Sequence, residues 1–216
     1  MTETAATKLE AAMTTLPLVA ILRGLRPDEA VAVCEVLVAS GFRIIEVPLN
    51  SPEPFRSIEL LAERFGAGCV IGAGTVLEVA AVARLEAAGG ELVVMPHGDP
   101  AVITAAKAMG LACVPGVATP TEAFAALAAG ADALKLFPAE ALAPAVVKAM
   151  LAVLPKGTAL LPVGGIEPST MAPYVAAGAR GFGLGSALFK PGMTPAEVGA
   201  RAAVFVDAWR ALKPGD

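Results

Sequence analysis

Short apolar runs alternate with longer stretches in which apolar and polar positions recur at helical spacing, and the alternation persists along most of the chain. In order the runs are LVAIL (Leu18–Leu22), IIEVP (Ile44–Pro48), VIGAG (Val70–Gly74), LVVMP (Leu92–Pro96), ACVP (Ala112–Pro115), ALKLFP (Ala133–Pro138), ALLPVGG (Ala159–Gly165) and GFGLG (Gly181–Gly185). The segments between them tend to open on proline and close on glycine: Pro27 to Gly41, Asp99-Pro100 to Gly110, Thr119-Pro120 to Gly130 and Glu167-Pro168 to Gly178. Proline suits a first helical turn, where its missing N–H had no intrahelical partner. Glycine suits the residue after a helix because it takes positive φ without a Cβ clash. The pattern predicts a strand and a helix repeated eight times, preceded by a short N-terminal helix over residues 1–15. Eight such units imply an α/β fold in which a parallel sheet closes on itself, a (β/α)8 TIM barrel. An open doubly wound sheet would show G-x-G-x-x-G at its first helix, and ILRGLRPDE stands there instead. With 216 residues the expectation is one barrel domain over residues 1–216 and nothing more.

Composition removes several classes of function. The chain is 56% hydrophobic, which raises the question of a membrane. Its longest stretch without charge, however, is the 14 residues from Ala108 to Thr121, broken by Gly110, Pro115, Gly116 and Pro120. A spanning helix needs roughly 18 apolar residues or more. The start, MTETAATKLEAAM, lacks the basic and apolar regions of a signal peptide. A soluble, cytoplasmic protein without membrane partners is expected. Net charge is −4 and no basic run is present, so no nucleic acid partner is expected either. Cys34, Cys69 and Cys113 have no metal spacing and read as buried free thiols. His97 is the only histidine, which excludes a zinc site built on several histidines of one chain; a carboxylate-bound magnesium site stays open, but no pair of Asp or Glu stands at successive strand ends to suggest one. It would also be the only base for a serine or cysteine triad, and no Gly-x-Ser-x-Gly elbow accompanies it.

The polar exceptions gather at the C-terminal ends of the predicted strands, where barrels carry their active sites. Lys135 is flanked by apolar residues in Ala-Leu-Lys-Leu-Phe-Pro, whereas Lys8, Lys107, Lys148, Lys156, Lys190 and Lys213 fall in helical or terminal stretches. Strand alternation sets Ala133, Lys135 and Phe137 on one face and Leu134 and Leu136 on the other. If the leucines meet the helices, Lys135 enters the barrel, and burial lowers its pKa. An ordinary lysine is only ~0.1% neutral near neutral pH, and the neutral amine alone attacks a carbonyl. A lysine reaching to the barrel mouth, or binding phosphate, is the competing reading. Glu46, in Ile-Ile-Glu-Val-Pro, enters the barrel by the same alternation, as a general acid–base or as a structural partner of Arg23 or Lys135. Arg23 ends the first strand and suits an anion. His97 is either a substrate contact or a loop residue. Gly164-Gly165 and Gly185-Ser186 follow the last two strands, where barrels bind phosphate through backbone N–H groups.

Taken together, IxEVPLNS (Ile44–Ser51), GAGTVL (Gly72–Leu77), PGxATPTEA (Pro115–Ala123), ALKLFPAE (Ala133–Glu140), PVGGI (Pro162–Ile166) and GLGSAL (Gly183–Leu188) resemble the 2-keto-3-deoxy-6-phosphogluconate and 6-phosphogalactonate aldolases. The likeness runs from about Leu16 to the C-terminal helix. It implies a class I aldolase, a homotrimer, whose substrates are a phosphorylated keto-deoxy sugar acid and pyruvate and which needs no cofactor or metal. It further implies Lys135 as the Schiff-base lysine, Glu46 as the acid–base residue and Thr75 as a holder of the keto-acid carboxylate. Gly164, Gly165, Gly185 and Ser186 would hold the phosphate, with Pro96, His97, Phe137 and Val163 beside the substrate. Gluconate-acting members carry arginine in the loop after the second strand and threonine before Gly-Gly. Here Asn50 and Val163 stand in those places, and Arg23 follows ILRG, which resembles the galactonate-acting members more closely. His97 departs from the asparagine usual there. A gluconate or dual-epimer aldolase, a phosphate-binding barrel isomerase or synthase, and a non-catalytic phosphosugar-binding protein are the alternatives.

Overall fold

The computed structural model describes residues 4–212. Its strands are β1 (Leu18–Ile21), β2 (Ile44–Pro48), β3 (Val70–Gly74), β4 (Leu92–Val94), β5 (Ala112–Val114), β6 (Gly116–Val117), β7 (Leu134–Leu136), β8 (Leu160–Pro162) and β9 (Phe182–Leu184). All their pairings are parallel, in the order β5-β4-β3-β2-β1-β9 and β6-β7-β8. Two joints make one barrel of these two sheets. The chain passes directly from β5 to β6 through Pro115, and Val163 just beyond β8 bridges Gly183 of β9. The fifth predicted strand, Ala112–Pro115, pairs over Ala112–Val114, and the short β6 follows only after Pro115, which has no N–H to give to a ladder. Several other runs pair over fewer residues than expected: Leu92–Val94 rather than Leu92–Pro96, for example. Apolar character continues into loops that leave the sheet, and only pairing ends a strand.

The helices are α1 (Ala5–Thr15), α2 (Pro27–Ala39), α3 (Pro54–Phe65), α4 (Val79–Ala87), α5 (Pro100–Ala108), α6 (Pro120–Ala128), α7 (Pro144–Leu151), α8 (Met171–Ala176) and α9 (Pro195–Leu212). Proline opens α2, α3, α5, α6 and α7. Thr119 caps α6 reciprocally with Glu122, satisfying two N–H groups that the first turn leaves free. The helix expected from Glu167-Pro168 to Gly178 is instead a 3-10 turn, Pro168–Thr170, followed by the short α8. Pro173 supplies the reason, since it cannot donate to a carbonyl one turn back. Of the N-terminal helix expected over residues 1–15, residues 1–3 lie outside the described residues.

Alternation along each strand divides the core in two. Leu18, Ile45, Ile71, Val93, Cys113, Leu134, Leu160 and Phe182 face the helices. Val19, Ile44, Val70, Leu92, Ala112, Ala133 and Leu161 face inward, where Ala5, Leu9 and Ala12 of α1 join them. α1 thus covers the N-terminal end of the barrel, opposite the loops that follow the strands. Lys8 fastens it from outside by bonding the Gly66 carbonyl and the Glu91 carboxylate. Among the described residues no helix is long and apolar enough to cross a membrane. Cys34, Cys69 and Cys113 are free and buried.

The seam beside β9 is packed by aromatic edges, Phe182 lying 6.3 Å from Tyr174 and 6.2 Å from Trp209 between ring centroids. Phe182 is fully buried. Phe182→Ala should lower unfolding stability by about 3–5 kcal/mol, measured by urea or thermal denaturation; a loss below about 1 kcal/mol would mean that the seam repacks.

Candidate active site

Ile44 and Pro48 flank Glu46 on the inner side of β2, and the alternation of β7 sends Lys135 to the same interior. Both are buried, Glu46 at 1% exposure and Lys135 at 6%. Glycine makes the space for the glutamate. A Cβ built on Gly74 would lie 1.3 Å from Glu46 Oε2, and one on Gly72 would strike the Leu92 carbonyl oxygen at 2.1 Å. The GAG sequence of β3 therefore lets a carboxylate fit inside the barrel wall. Among the described residues no group hydrogen-bonds Glu46 Oε2. Burial pushes the Glu46 carboxyl up to about 7, against the opposing pull of Lys135 and Arg23. Burial, reinforced by Arg23, lowers the pKa of Lys135, while Glu46 opposes that shift. Its Nζ stands 4.7 Å from the centroid of the Phe137 ring. The wall thus holds an amine and a carboxyl that are both biased toward their neutral forms.

Above this pair, Arg23 donates to Asn50 Oδ1 at 2.8 Å and to Thr75 Oγ1 at 3.5 Å. Thr75 adopts φ 56, a left-handed backbone that a β-branched residue rarely takes. The three residues form a polar group at the mouths of β1, β2 and β3. Ser51 supports it from below by accepting from the Gly24 N–H at 2.9 Å.

An open cleft of about 290 Å3 leads from Lys135 toward the last two strand ends, with Arg23, Phe137, Val163, Gly164, Gly165, Gly185 and Ser186 among its lining residues. Gly164 and Gly165 have φ of 107 and 61, which glycine alone adopts readily. The cleft also includes Ile21, Glu140, Glu167 and Lys190, none of which the strand and helix pattern placed at the site. Lys190 is not on a helix but in the loop between β9 and α9. Its place after the eighth strand was the available signal. Glu140 sits on a 3-10 turn just past β7, and a Cβ built on Gly164 would meet its Oε2 at 2.1 Å. Pro96 and His97 are not among the cleft's lining residues. His97 is exposed, and its carbonyl accepts from the Gly116 N–H at 3.2 Å.

A family model for KDPG and KHG aldolase matches residues 9–208. The chain belongs to that family. A relative from Rhizobium meliloti (strain 1021), named "Probable 2-dehydro-3-deoxy-6-phosphogalactonate aldolase", is 52% identical over 92% of this chain and 94% of its own. A solved structure described as "Native KDPGal structure" superposes with a TM-score of 0.90 at 45% identity, covering 91% of this chain and 96% of that one. A KDPG aldolase from Legionella pneumophila, solved with pyruvate captured at low pH as a covalent carbinolamine intermediate, superposes with a TM-score of 0.78 at 25% identity, covering 95% of this chain and 98% of that one. In this aldolase chain, the buried lysine and glutamate lie where strand alternation put them.

Burying Glu46 has a cost that depends on pH. In the unfolded chain its carboxyl titrates near 4.5, and in the fold at about 7. A raised folded pKa contributes stability that is complete below the unfolded value and is lost as pH rises through the folded one. The loss is on the order of 3 kcal/mol. Glu46→Gln should therefore raise the melting temperature relative to the parent above about pH 8, and show no such gain below the ordinary carboxyl range. Parallel melting curves for the two proteins across pH would contradict the burial of an ionisable group.

Proposed function

We propose that the protein is a class I aldolase that cleaves 2-dehydro-3-deoxy-6-phosphogalactonate to pyruvate and D-glyceraldehyde 3-phosphate through a Schiff base on Lys135. The observation that carries this reading is the lysine held inside the barrel wall with its pKa lowered by burial, beside a glutamate pushed up to about 7. The amine of Lys135 attacks C2 of the keto acid, and loss of water from the carbinolamine gives a protonated imine. Glu46 takes the proton of the C4 hydroxyl. The C3–C4 bond breaks, its electron pair moves toward the imine as an enamine, and the aldehyde departs. C3 then takes a proton, and water releases pyruvate and the free lysine. A carboxyl with a pKa near neutrality both accepts and returns protons at working pH. The Arg23, Asn50 and Thr75 group supplies donors for the keto-acid carboxylate. The N–H groups of Gly164, Gly165, Gly185 and Ser186, with Lys190, supply an anion cradle for the phosphate. No step calls on a metal or organic cofactor. A cytoplasmic homotrimer belongs to this reading, and it would give the exposed Leu77, Val79, Met109 and Phe124 an apolar surface to meet.

Incubation with pyruvate and borohydride should leave a reduced pyruvyl group on the peptide containing Lys135, detected by mass. Labelling of another lysine, or of none, would overturn the mechanism.

The galactonate and gluconate substrates differ only at C4, so discrimination falls to groups near that hydroxyl. Val163 has the shape of threonine without its hydroxyl and lies on the cleft wall with Lys135. A hydrogen bond there is worth about 1–3 kcal/mol, or roughly 5- to 150-fold. An apolar wall rejects a moved hydroxyl only weakly. The galacto epimer should be preferred with measurable gluco activity, and Val163→Thr should raise kcat/KM for the gluco epimer relative to the galacto one. An unchanged ratio would transfer the choice to Asn50 or Arg23.

A further inference from the structure

A cavity of about 20 Å3 lies inside the barrel directly beneath the reactive pair, room for about one water molecule. Glu46 and Lys135 form part of its wall, Leu9 and Met13 of α1 form another part, and the remaining lining is apolar. A second cleft, of about 320 Å3, opens at the N-terminal end of the barrel, where Glu10, Asp132 and Arg180 are among the residues facing it. Leu9, Met13 and Ala133 line both spaces. Two side chains of α1, one turn apart, and Ala133, just ahead of β7, therefore stand between that cleft and the underside of the pair.

We propose that α1 is the floor of the reaction chamber, with Leu9 and Met13 as the seal that keeps bulk water from reaching Lys135 and Glu46 through the closed end of the barrel. The proposal rests on the aldolase reading above and deepens it. Leu9 is 3% exposed and packs with the inward layer of β-strand residues. The other end of the barrel must admit substrate, so a dry wall behind the amine has to be made from below. The charged groups around this floor are few. Lys8 points away to Gly66 and Glu91, Glu10, Asp132 and Arg180 face the lower cleft, and Arg23 acts on the pair from above. Leu9 and Met13 are positioning residues: they act on the amine by excluding water and touch no substrate.

The test is imine trapping as a function of pH. Wild type, Leu9→Ala and Leu9→Met are each incubated with pyruvate and cyanoborohydride, and labelling of Lys135 is followed by peptide mass. Shrinking Leu9 should admit water, favour the ammonium, and move the half-labelling pH upward by roughly one unit. Leu9→Met refills the space and should restore the wild-type curve. Circular dichroism melting shows which variants are folded. Should Leu9→Ala fail to fold, Met13→Ala opens the same seal from the next turn and carries the same expectation. If wild type traps pyruvate at Lys135 and the folded alanine variants follow its pH curve, α1 is only a structural cap and the inference is overturned. If wild type traps nothing at Lys135, it is the aldolase reading that has failed.

Discussion

The structure depends on a single unfavourable act: an amine and a carboxyl are withdrawn from water into the inner wall of a barrel. Among the described residues neither Lys135 nor Glu46 gains the close ion pair that would offset that desolvation, and no group there hydrogen-bonds Glu46 Oε2. Each group responds by favouring its neutral form. In the proposed reaction, that response makes the amine nucleophilic and lets the carboxyl exchange protons near neutral pH. Apolar side chains line the barrel beneath the pair, and the marginal stability of any domain limits how many such groups can be carried.

Charge is graded along the barrel axis. Apolar side chains of α1 and the inward strand residues occupy the N-terminal end, Lys135 and Glu46 lie above them, and fixed donors crown the mouth. Arg23 belongs to the crown and influences the interior from there, lowering the pKa of both members of the pair. Its own hydrogen bonds to Asn50 and Thr75 fix where that influence is applied. The left-handed Thr75 holds its hydroxyl in place at the expense of backbone strain. The wall beneath is regular strand, so precision below is obtained by packing and precision above by loop geometry.

Much of this was legible in the sequence because a strand has a fixed period. Once Leu134 and Leu136 are assigned to the helix side, Lys135 has only one direction left, and Ile44, Glu46 and Pro48 obey the same rule. Pattern also identified the proline-led helices. It failed where the decisive term is not periodic. Pro115 separates β5 from β6 because of a missing donor, Pro173 breaks a helix for the same reason, and no alternation reports either. Glu140 and Lys190 lie on irregular segments, so their approach to the cleft depends on how the loops fold over it. His97, open between substrate contact and loop residue, lies outside the cleft's lining, and its rarity carried no direction. The part played by α1 at the bottom of the barrel likewise needs the closed fold, since nothing in its own residues says which end it covers.

Gly74 has a bearing on how such a site changes over time. Because the space its Cβ would fill is held by Glu46 Oε2, the two positions form an asymmetric pair. A shorter residue at 46 would leave the glycine harmless, whereas any side chain at 74 would evict the glutamate. Loss of the glutamate can thus be followed by drift at the glycine, and that second change would block the way back. Grafting this chemistry onto another barrel would accordingly require the glycine to be installed before the glutamate.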